Sequence, residues 1–595
     1  MNSIAGRSQH WQYNNRMAVK DQVFTPLYGV ALHKGLFADV FQNNVQFLKQ
    51  FRFEDMLYWF DEKLGIPTDG KPYRGHFEDN LKGQTASQYL MGAGNLLRWQ
   101  DDKELHDGIE RILDKLEQCE EPDGFMMPIT KYEFSDHEYP HYTRIWLNYG
   151  LIAAGLAGHE RAFNMLRRWQ DWFNQCPDLP IIKYTNLAFQ GIVGSTYVWQ
   201  TPIGKWEDVD VARKYYEEDW RIAQFMQKER DCIHRRFQPG YEPHPHGTEI
   251  ESLEGYLDLY RATGAPYYLK AVLGARELYK RDWQHPGGGI VMCEFLDAFP
   301  GCGWIDSRYP YNELCCTAFW VNLNHRLHRL FPDVEDYMNE VERSIYNIAI
   351  ANQDGQKKLI RYFAHMEGKK DKGGTVTCCC GVGTRLFGKL PEYLYSISEE
   401  SLYVNIYAPS EIRWTRKEGE VLVKTDCEMP ENGRVEIRVH ISEDVCFSLA
   451  LRMPGWMSGD ADILVNGEKV ALGKKGTYAK IKRVWKDGDV ILLDLPMAFT
   501  PIRYTGKEQV DLFDRYSFER GPLVYAVVGE LTNFRTTWVR QCPLEVNRWA
   551  QKTDHPGIFT IEGDPDHELV PYYMLDDQTS MTCFPLFAKP EGGYR

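Results

Sequence analysis

Two short stretches of the chain concentrate side chains that hold soft cations and attack carbon. Tyr311-Asn312-Glu313-Leu314-Cys315-Cys316 reads as the opening of a helix, and Thr377-Cys378-Cys379-Cys380-Gly381-Val382-Gly383 as a glycine-rich turn before another. Zinc is most often held by four ligands drawn from Cys, His and carboxylate, so Glu313, Cys315 and two of the three consecutive cysteines make a tetrahedral set. The spacing is not that of a zinc finger. A lone cysteine is ordinarily a buried core residue; five of them in two tight clusters favour a metal. A site closed by protein ligands normally has a structural role, whereas a catalytic one keeps a position open. A third chemistry is that one thiolate ligand is itself the nucleophile, kept deprotonated at neutral pH by the metal and released to attack.

Seven of the fourteen cysteines (Cys293, Cys302, Cys315, Cys316, Cys378, Cys379 and Cys380) fall in one part of the chain. Sequence neighbours seldom pair, because such a disulfide is strained. The clustering therefore points to a thiolate site in a reducing compartment. Lys and Arg total 69 against 84 Asp and Glu, and the net charge of −15, with no basic run, argues against nucleic acid and anionic lipid as partners. The 17 Trp, 35 Tyr and 29 Phe suit neutral polar ligands that stack on rings, such as sugars, although large cores account for most aromatic residues equally well. Met1 to Gln22 is polar and has no apolar core, so neither a signal peptide nor an anchor is read there. No apolar run reaches the about 18 residues a membrane span needs. The expected location is the cytoplasm, with no membrane partner.

The elements that would position the cysteines come from the rest of the chain. From Gln84 to Leu390 the sequence repeats helix, short turn, helix: Ser87–Gln118 breaks at Asp101-Asp102, Tyr142–Phe173 at Gly158-His159, Asn186–Tyr216 at Pro202-Ile203-Gly204, Leu253–Tyr279 at Thr263–Pro266, and Thr317–Ile350 at Pro332-Asp333. A sixth hairpin is completed by Val23–Phe60 and the segment after Arg385. Stacked hairpins either form an open solenoid or close into a toroid. The long aromatic loops favour closure, a mainly α domain with an (α/α)6 helical barrel. After Leu394 the texture becomes short alternating runs, Ser401–Pro409, Gly433–Ile441, Cys446–Pro454 and Asp489–Met497, with turns at Asn466-Gly467 and Asp487-Gly488. The expected division is an N-terminal segment 1–25 pairing with the C-terminal β module, a barrel 26–396, a β-sandwich 397–517 and a second β-sandwich module 518–595.

Several motifs carry a resemblance. Glu313-Leu314-Cys315, the run Cys378-Cys379-Cys380-Gly381-Val382-Gly383, LRMPGWMSGDADILVNGEKV (Leu451–Val470), FERGPLVYAVVGE (Phe518–Glu530) and EPDGFM (Glu121–Met126) together look like the retaining β-L-arabinofuranosidases of glycoside hydrolase family 127. That family carries Glu-Thr-Cys at a helix start and a later Cys-Cys pair that bind zinc, and the first Cys of the pair attacks the anomeric carbon. The resemblance implies Zn2+ held by Glu313, Cys315, Cys378 and Cys379, with Cys378 as nucleophile, since reading the pair one residue later breaks the register of Gly381 and Gly383. It implies a helical toroid followed by two β-sandwiches. It also implies a general acid/base after a Gly-Gly turn, which makes Glu294 after Gly287-Gly288-Gly289 the candidate, ahead of Asp297 and Asp306. His246, and behind it His244, stand where relatives present a substrate-contacting His. Arg74–Leu90 and Ile145 depart from the family pattern at polar positions.

The reading is a retaining, exo-acting glycoside hydrolase removing a terminal β-L-arabinofuranosyl or related sugar from plant cell-wall glycans through a thioglycosyl intermediate. Alternatives are a glycosidase of the same fold on a branched acidic sugar of pectin, a polysaccharide lyase, and a non-catalytic carbohydrate-binding protein stapled by zinc. A homodimer is left open.

Overall fold

Helices that are buried around their whole circumference have to sit inside a second layer, and that is how this chain solves the burial of its apolar middle. The computed structural model describes residues 9, 17–73, 81–136, 139–176, 191–216, 226–228, 247–290, 312–374, 376–506, 508–531 and 536–589. The first labelled helix is α1 (Leu36–Lys49), and five helical hairpins follow: α2 (Gln84–Leu97) with α3 (Lys103–Cys119), α4 (Tyr139–Leu156) with α5 (Arg161–Asn174), α6 (Gly191–Trp199) with α7 (Trp206–Tyr216), α8 (Thr248–Thr263) with α9 (Pro266–Asp282), and α10 (Leu314–Leu330) with α11 (Glu335–Ser344). α12 (Cys378–Gly388) completes the set by packing on α1. The even-numbered helices pack each on the next, and α12 returns against α2, so the inner ring closes. α2, α10 and α12 are buried along their entire length. The outer helices bury one stripe only, as in α3, where Leu105, Ile109, Ile112, Leu113 and Leu116 recur at the spacing of one helix face. The result is the expected (α/α)6 barrel.

Inner helices approach closely where the sequence supplies glycine. A Cβ at Gly94 of α2 would lie 2.5 Å from the backbone carbonyl carbon of Ala153 on α4, and one at Gly150 would lie 2.7 Å from the carbonyl oxygen of Ser87. The two backbones touch, which no larger side chain permits.

Past α12 the chain turns to strands, which one strand from ahead of α1 joins. In chain order these are β1 (Val30–Leu32), β2 (Tyr395–Ile397), β3 (Ser401–Val404), β4 (Ser410–Arg416), β5 (Gly419–Cys427), β6 (Arg434–Ile441), β7 (Val445–Met453), β8 (Ala461–Val465), β9 (Glu468–Gly473), β10 (Thr477–Trp485) and β11 (Val490–Asp494). They form a seven-stranded sheet, β1-β4-β5-β6-β11-β8-β9, and a four-stranded sheet, β10-β7-β3-β2. Period-2 burial along β4 and β6 turns alternate residues into the space between the sheets.

Two expectations about the β region change. Among its described residues the N-terminal segment meets the first sandwich, Phe24 bridging Ile397 and the Gln9 side chain accepting from Thr415 N at 2.9 Å, and just beyond it β1 runs antiparallel to β4. The physical reason is that β2 and β4 would otherwise leave open edges on the two sheets. The boundary between the β units also falls earlier than residue 518, because Phe499–Arg503 pairs antiparallel with Phe513–Arg520 in the last sheet. That sheet borrows a strand from the barrel domain, Glu367–Gly368 against Met581–Thr582.

Two contacts weld the layers. Arg452 of β7 donates from Nε to Glu335 at 2.8 Å and from Nη2 to Glu342 at 2.7 Å, both on α11, and Trp456 Nε1 donates to Glu342 at 2.6 Å. Asn347, in the π-turn Ile345–Ala349 beyond α11, donates to Pro522 O at 2.8 Å and accepts from Val524 N at 2.7 Å.

Lys370 is buried at this junction, donating from Nζ to Ala351 O at 3.2 Å and to Tyr573 O at 3.4 Å. Burial, with Arg361 nearby, pushes its ammonium down to about 7 from its ordinary value near 10.5. Between those two values the unfolded chain holds a proton that the folded chain has released, so this group makes stability rise with pH across that window. Lys370→Met is expected to flatten the rise in urea midpoint between neutral and alkaline pH; a variant with the full wild-type slope would assign the effect to another group.

Candidate active site and metal centre

The N-terminal ends of the inner helices lie at one mouth of the ring, and the functional candidates collect there. Glu313 is the N-cap of α10 and Cys315 its second residue, while Cys378 and Cys379 open α12. Glu313 is set by a β-bridge to Phe363 and by Leu314 N donating to Tyr362 O at 2.9 Å. Gly381 and Gly383 are not a turn before the helix, as the sequence suggested, but lie inside its first turns. A Cβ at Gly381 would meet Gln88 of α2 at 2.1 Å, and one at Gly383 would meet Ile360 and Leu314 at 2.9 Å. Glycine here lets α12 sink between its neighbours and bring its first turn onto α10.

One ligand atom from each of Glu313, Cys315, Cys378 and Cys379 lies within 4.8 Å of the other three, and all four residues are buried. Cys379 Sγ is 3.2 Å from Cys315 Sγ and 3.6 Å from Glu313 Oε1. A tetrahedral zinc site with Zn–S near 2.3 Å has S···S edges of about 3.8 Å, so the set fits such an ion with small adjustments. Its chemistry fits too. Burial pushes the Cys315 and Cys379 thiols well above their ordinary range, the neighbouring sulfurs adding to the rise at Cys315. Three thiols and a carboxylate buried together are costly as anions unless a cation sits among them. The remaining clustered cysteines point elsewhere: Cys316 Sγ lies 3.6 Å from the other oxygen of Glu313, and Cys380 Sγ contacts Ile360 O at 3.3 Å.

Around the cluster stand residues that sequence reasoning did not single out. The Tyr362 hydroxyl is 3.5 Å from Cys378 Sγ. Tyr142, in the first turn of α4, is buried, and its phenol is pushed well up by that burial and by Cys378 and Cys315 beside it. Glu251, in the first turn of α8, accepts from the Tyr149 hydroxyl at 2.9 Å. Only Tyr142 had a signal, its place next to the departure at Ile145.

Glu294, Asp297, Asp306, His244 and His246 lie outside the described residues. Two described glycines next to these stretches pack against sequence neighbours of the cluster. Gly289 would place a Cβ 2.5 Å from Asn312 Oδ1, next to Glu313, and Gly247, directly after His246, would place one 3.0 Å from Cys316 Sγ. No helix among the described residues is long and apolar enough to cross a membrane.

The family model described as Beta-L-arabinofuranosidase, GH127 catalytic domain, matches residues 29–392, and the GH127 middle domain matches residues 401–497. Among solved structures, a GH127 beta-arabinofuranosidase superposes with a TM-score of 0.75 at 18% identity, covering 96% of this chain and 98% of its own. A GH127 beta-L-arabinofuranosidase from Geobacillus stearothermophilus T6 gives 0.72 at 18% identity, covering 94% and 100%. Another, described as a glycoside hydrolase, gives 0.70 at 17% identity, covering 96% and 98%. No curated protein matches the chain. These structures share the fold of this chain over nearly its whole length, and with family models covering both its barrel and its first sandwich the chain belongs to the GH127 family of glycoside hydrolases.

Proposed function

We propose that the protein is a retaining, exo-acting glycosidase that removes a terminal β-L-arabinofuranosyl or closely related residue, with Cys378 as nucleophile and Glu294 as acid/base. The observation that carries this reading is the convergence of Glu313, Cys315, Cys378 and Cys379 at the ring mouth, where a sugar entering end-on meets a thiol. Glu313, Cys315, Cys378 and Cys379 would hold zinc, whose positive charge would keep Cys378 a thiolate at neutral pH. The start of α12 adds to that, since the free N–H groups of a first helical turn favour an anion. The Cys378 thiol donates to the Tyr362 hydroxyl at 3.5 Å, and once the sulfur is deprotonated the same hydroxyl is placed to donate back to it and hold its direction.

In the first step the Cys378 sulfur bonds to the anomeric carbon as the glycosidic C–O bond breaks, and Glu294 gives its proton to the departing oxygen. In the second, the Glu294 carboxylate takes a proton from water, the water oxygen bonds to the anomeric carbon, and the C–S bond breaks to return the thiolate. Two inversions retain the configuration.

The test is a panel of aryl glycosides headed by the β-L-arabinofuranoside, offered to reduced enzyme before and after chelation and to Glu294→Gln. Aryl alcohol release is expected from the metal-loaded wild type, with loss after chelation. In Glu294→Gln, kcat is expected to fall by about 10²- to 10⁴-fold, least for the most acidic leaving group, which needs no proton. Equal loss for every leaving group would remove Glu294 from the acid role. Turnover that survives complete metal removal would remove zinc from the reaction.

A further inference from the structure

The inner helices have a second end, and it carries chemistry of its own. Their C-terminal turns enclose a cavity of ≈ 90 Å³ whose wall holds Arg98, Arg326, Arg329, Arg385 and Lys389 against one carboxylate, Glu392. Arg385 lies seven positions along α12 from Cys378, about 10 Å of helix, and no residue of the thiol cluster lines this space.

The cations are unevenly matched. Arg98 and Lys389 share Glu392, at 2.7 and 3.2 Å. Arg326 lies 2.5 Å from Asp258 and 3.2 Å from Glu254. Arg329 pairs with Asp21, which Arg261 also contacts at 2.7 Å. Six cations thus face four carboxylates across the network. The surplus falls on Arg385: its Nη2 donates to the Tyr197 hydroxyl at 2.9 Å, its guanidinium lies 4.1 Å from the Tyr149 ring centre, and no carboxylate among the described residues pairs with it. Its Nη1 and His325 Nε2 are buried without a hydrogen-bond partner among the described residues.

Helix C-termini attract cations, which accounts for some of this charge. They offer only fractional negative charge, however, and buried cations need counter-anions of full charge. Burial pushes Lys389 down to about 8 and Arg329 down to about 10, while the Tyr197 and Tyr149 phenols and Glu254 hold the Arg385 guanidinium up against its own burial.

We infer that this cavity is a binding site for a small oxyanion, a carboxylate or phosphate group, held by Arg385 of α12 and Lys389 at its C-cap together with Arg98 and Arg329. The volume exceeds the roughly 10–15 Å³ that one water-sized particle requires, so there is room for a polyatomic anion, and guanidinium forks match paired oxygens better than a spherical halide. The site stands whether or not the cysteine mechanism does.

Titration calorimetry and thermal unfolding of the full chain with inorganic phosphate, with acetate, and with chloride at matched ionic strength test it. The expected result is one saturable site per chain for phosphate or acetate, a Tm that rises with occupancy, and at least a tenfold weaker Kd in both Lys389→Gln and Arg385→Met. Whichever of the two anions binds more tightly names the source chemistry. Absence of a saturable site, the same response to chloride, or an unchanged Kd in the variants would each overturn the inference. If neither variant folds, crystals of the wild type soaked in selenate decide: anomalous selenium signal in this cavity supports the site, and its absence there rejects it.

Discussion

Cys378→Ala is expected to lower kcat on an aryl β-L-arabinofuranoside by on the order of 10⁴-fold or more, the scale seen when the nucleophile of a covalent mechanism is deleted. The residue is the first of α12, buried, in a cluster with Glu313, Cys315 and Cys379, so nothing else described in the site can replace its sulfur without moving a helix. Two roles must be separated, since the substitution removes a candidate ligand together with the candidate nucleophile. Cys379→Ala removes a ligand and leaves Cys378 in place; it is expected to lose bound zinc and activity together and to regain part of the activity in excess zinc. Cys378→Ala is expected to stay inactive at any zinc concentration. Mass spectrometry of enzyme quenched during turnover should show a pentosyl adduct on the wild type and none on Cys378→Ala. Near-normal turnover by Cys378→Ala would end the cysteine reading and return the site to a structural metal with carboxylate chemistry elsewhere.

Arg452→Met is expected to destabilise the protein by about 3–5 kcal/mol, the range for breaking a buried ion pair on one side. The guanidinium is fully buried, holds Glu335 and Glu342 at 2.8 and 2.7 Å, and also donates to Asn405 O at 2.7 Å. Without it, two carboxylates remain in a dry joint between the barrel and the sandwich, where burial already lifts Glu335 above its ordinary range despite Arg452. Urea unfolding followed by both tryptophan fluorescence and far-UV dichroism would read the loss, and two probes show whether the joint opens before the barrel melts. Adding Glu335→Gln and Glu342→Gln to Arg452→Met should recover part of the stability, because the uncompensated charge goes with them. A single variant that unfolds at the wild-type midpoint would show that the joint is held by packing alone.

The hairpins were legible because an amphipathic or wholly apolar helix writes its period into a short window. Leu105, Ile109, Ile112 and Leu116 lie on one face wherever α3 is placed. The strands of the first sandwich were legible for the same reason, with Asn466-Gly467 supplying the left-handed pair a tight hairpin needs. The four cluster residues stood out through local density of rare chemistry, and the family resemblance, through the register of Gly381 and Gly383, chose which two of the three cysteines to take.

What failed to show in the sequence was contact between distant segments. Gly381 and Gly383 read as a turn because glycine usually marks one; only the pressure of Gln88 and of Ile360 with Leu314 makes them helical. The partner of the N-terminal strand and the start of the last sheet at Phe499 depend on which sheet edges would otherwise stay open. Tyr142 and Glu251 belong to the ring mouth because their helices begin there, and Tyr362 because the loop that bridges Glu313 through Phe363 passes beside Cys378. By itself the sequence determined the kinds of elements and the chemistry available, since both depend on residue type and near-neighbour spacing. The tertiary structure decided that Cys315 and Cys379, 64 residues apart, would share one dry site with Glu313 and Cys378, because closing a ring of six inner helices is what buries them all at once.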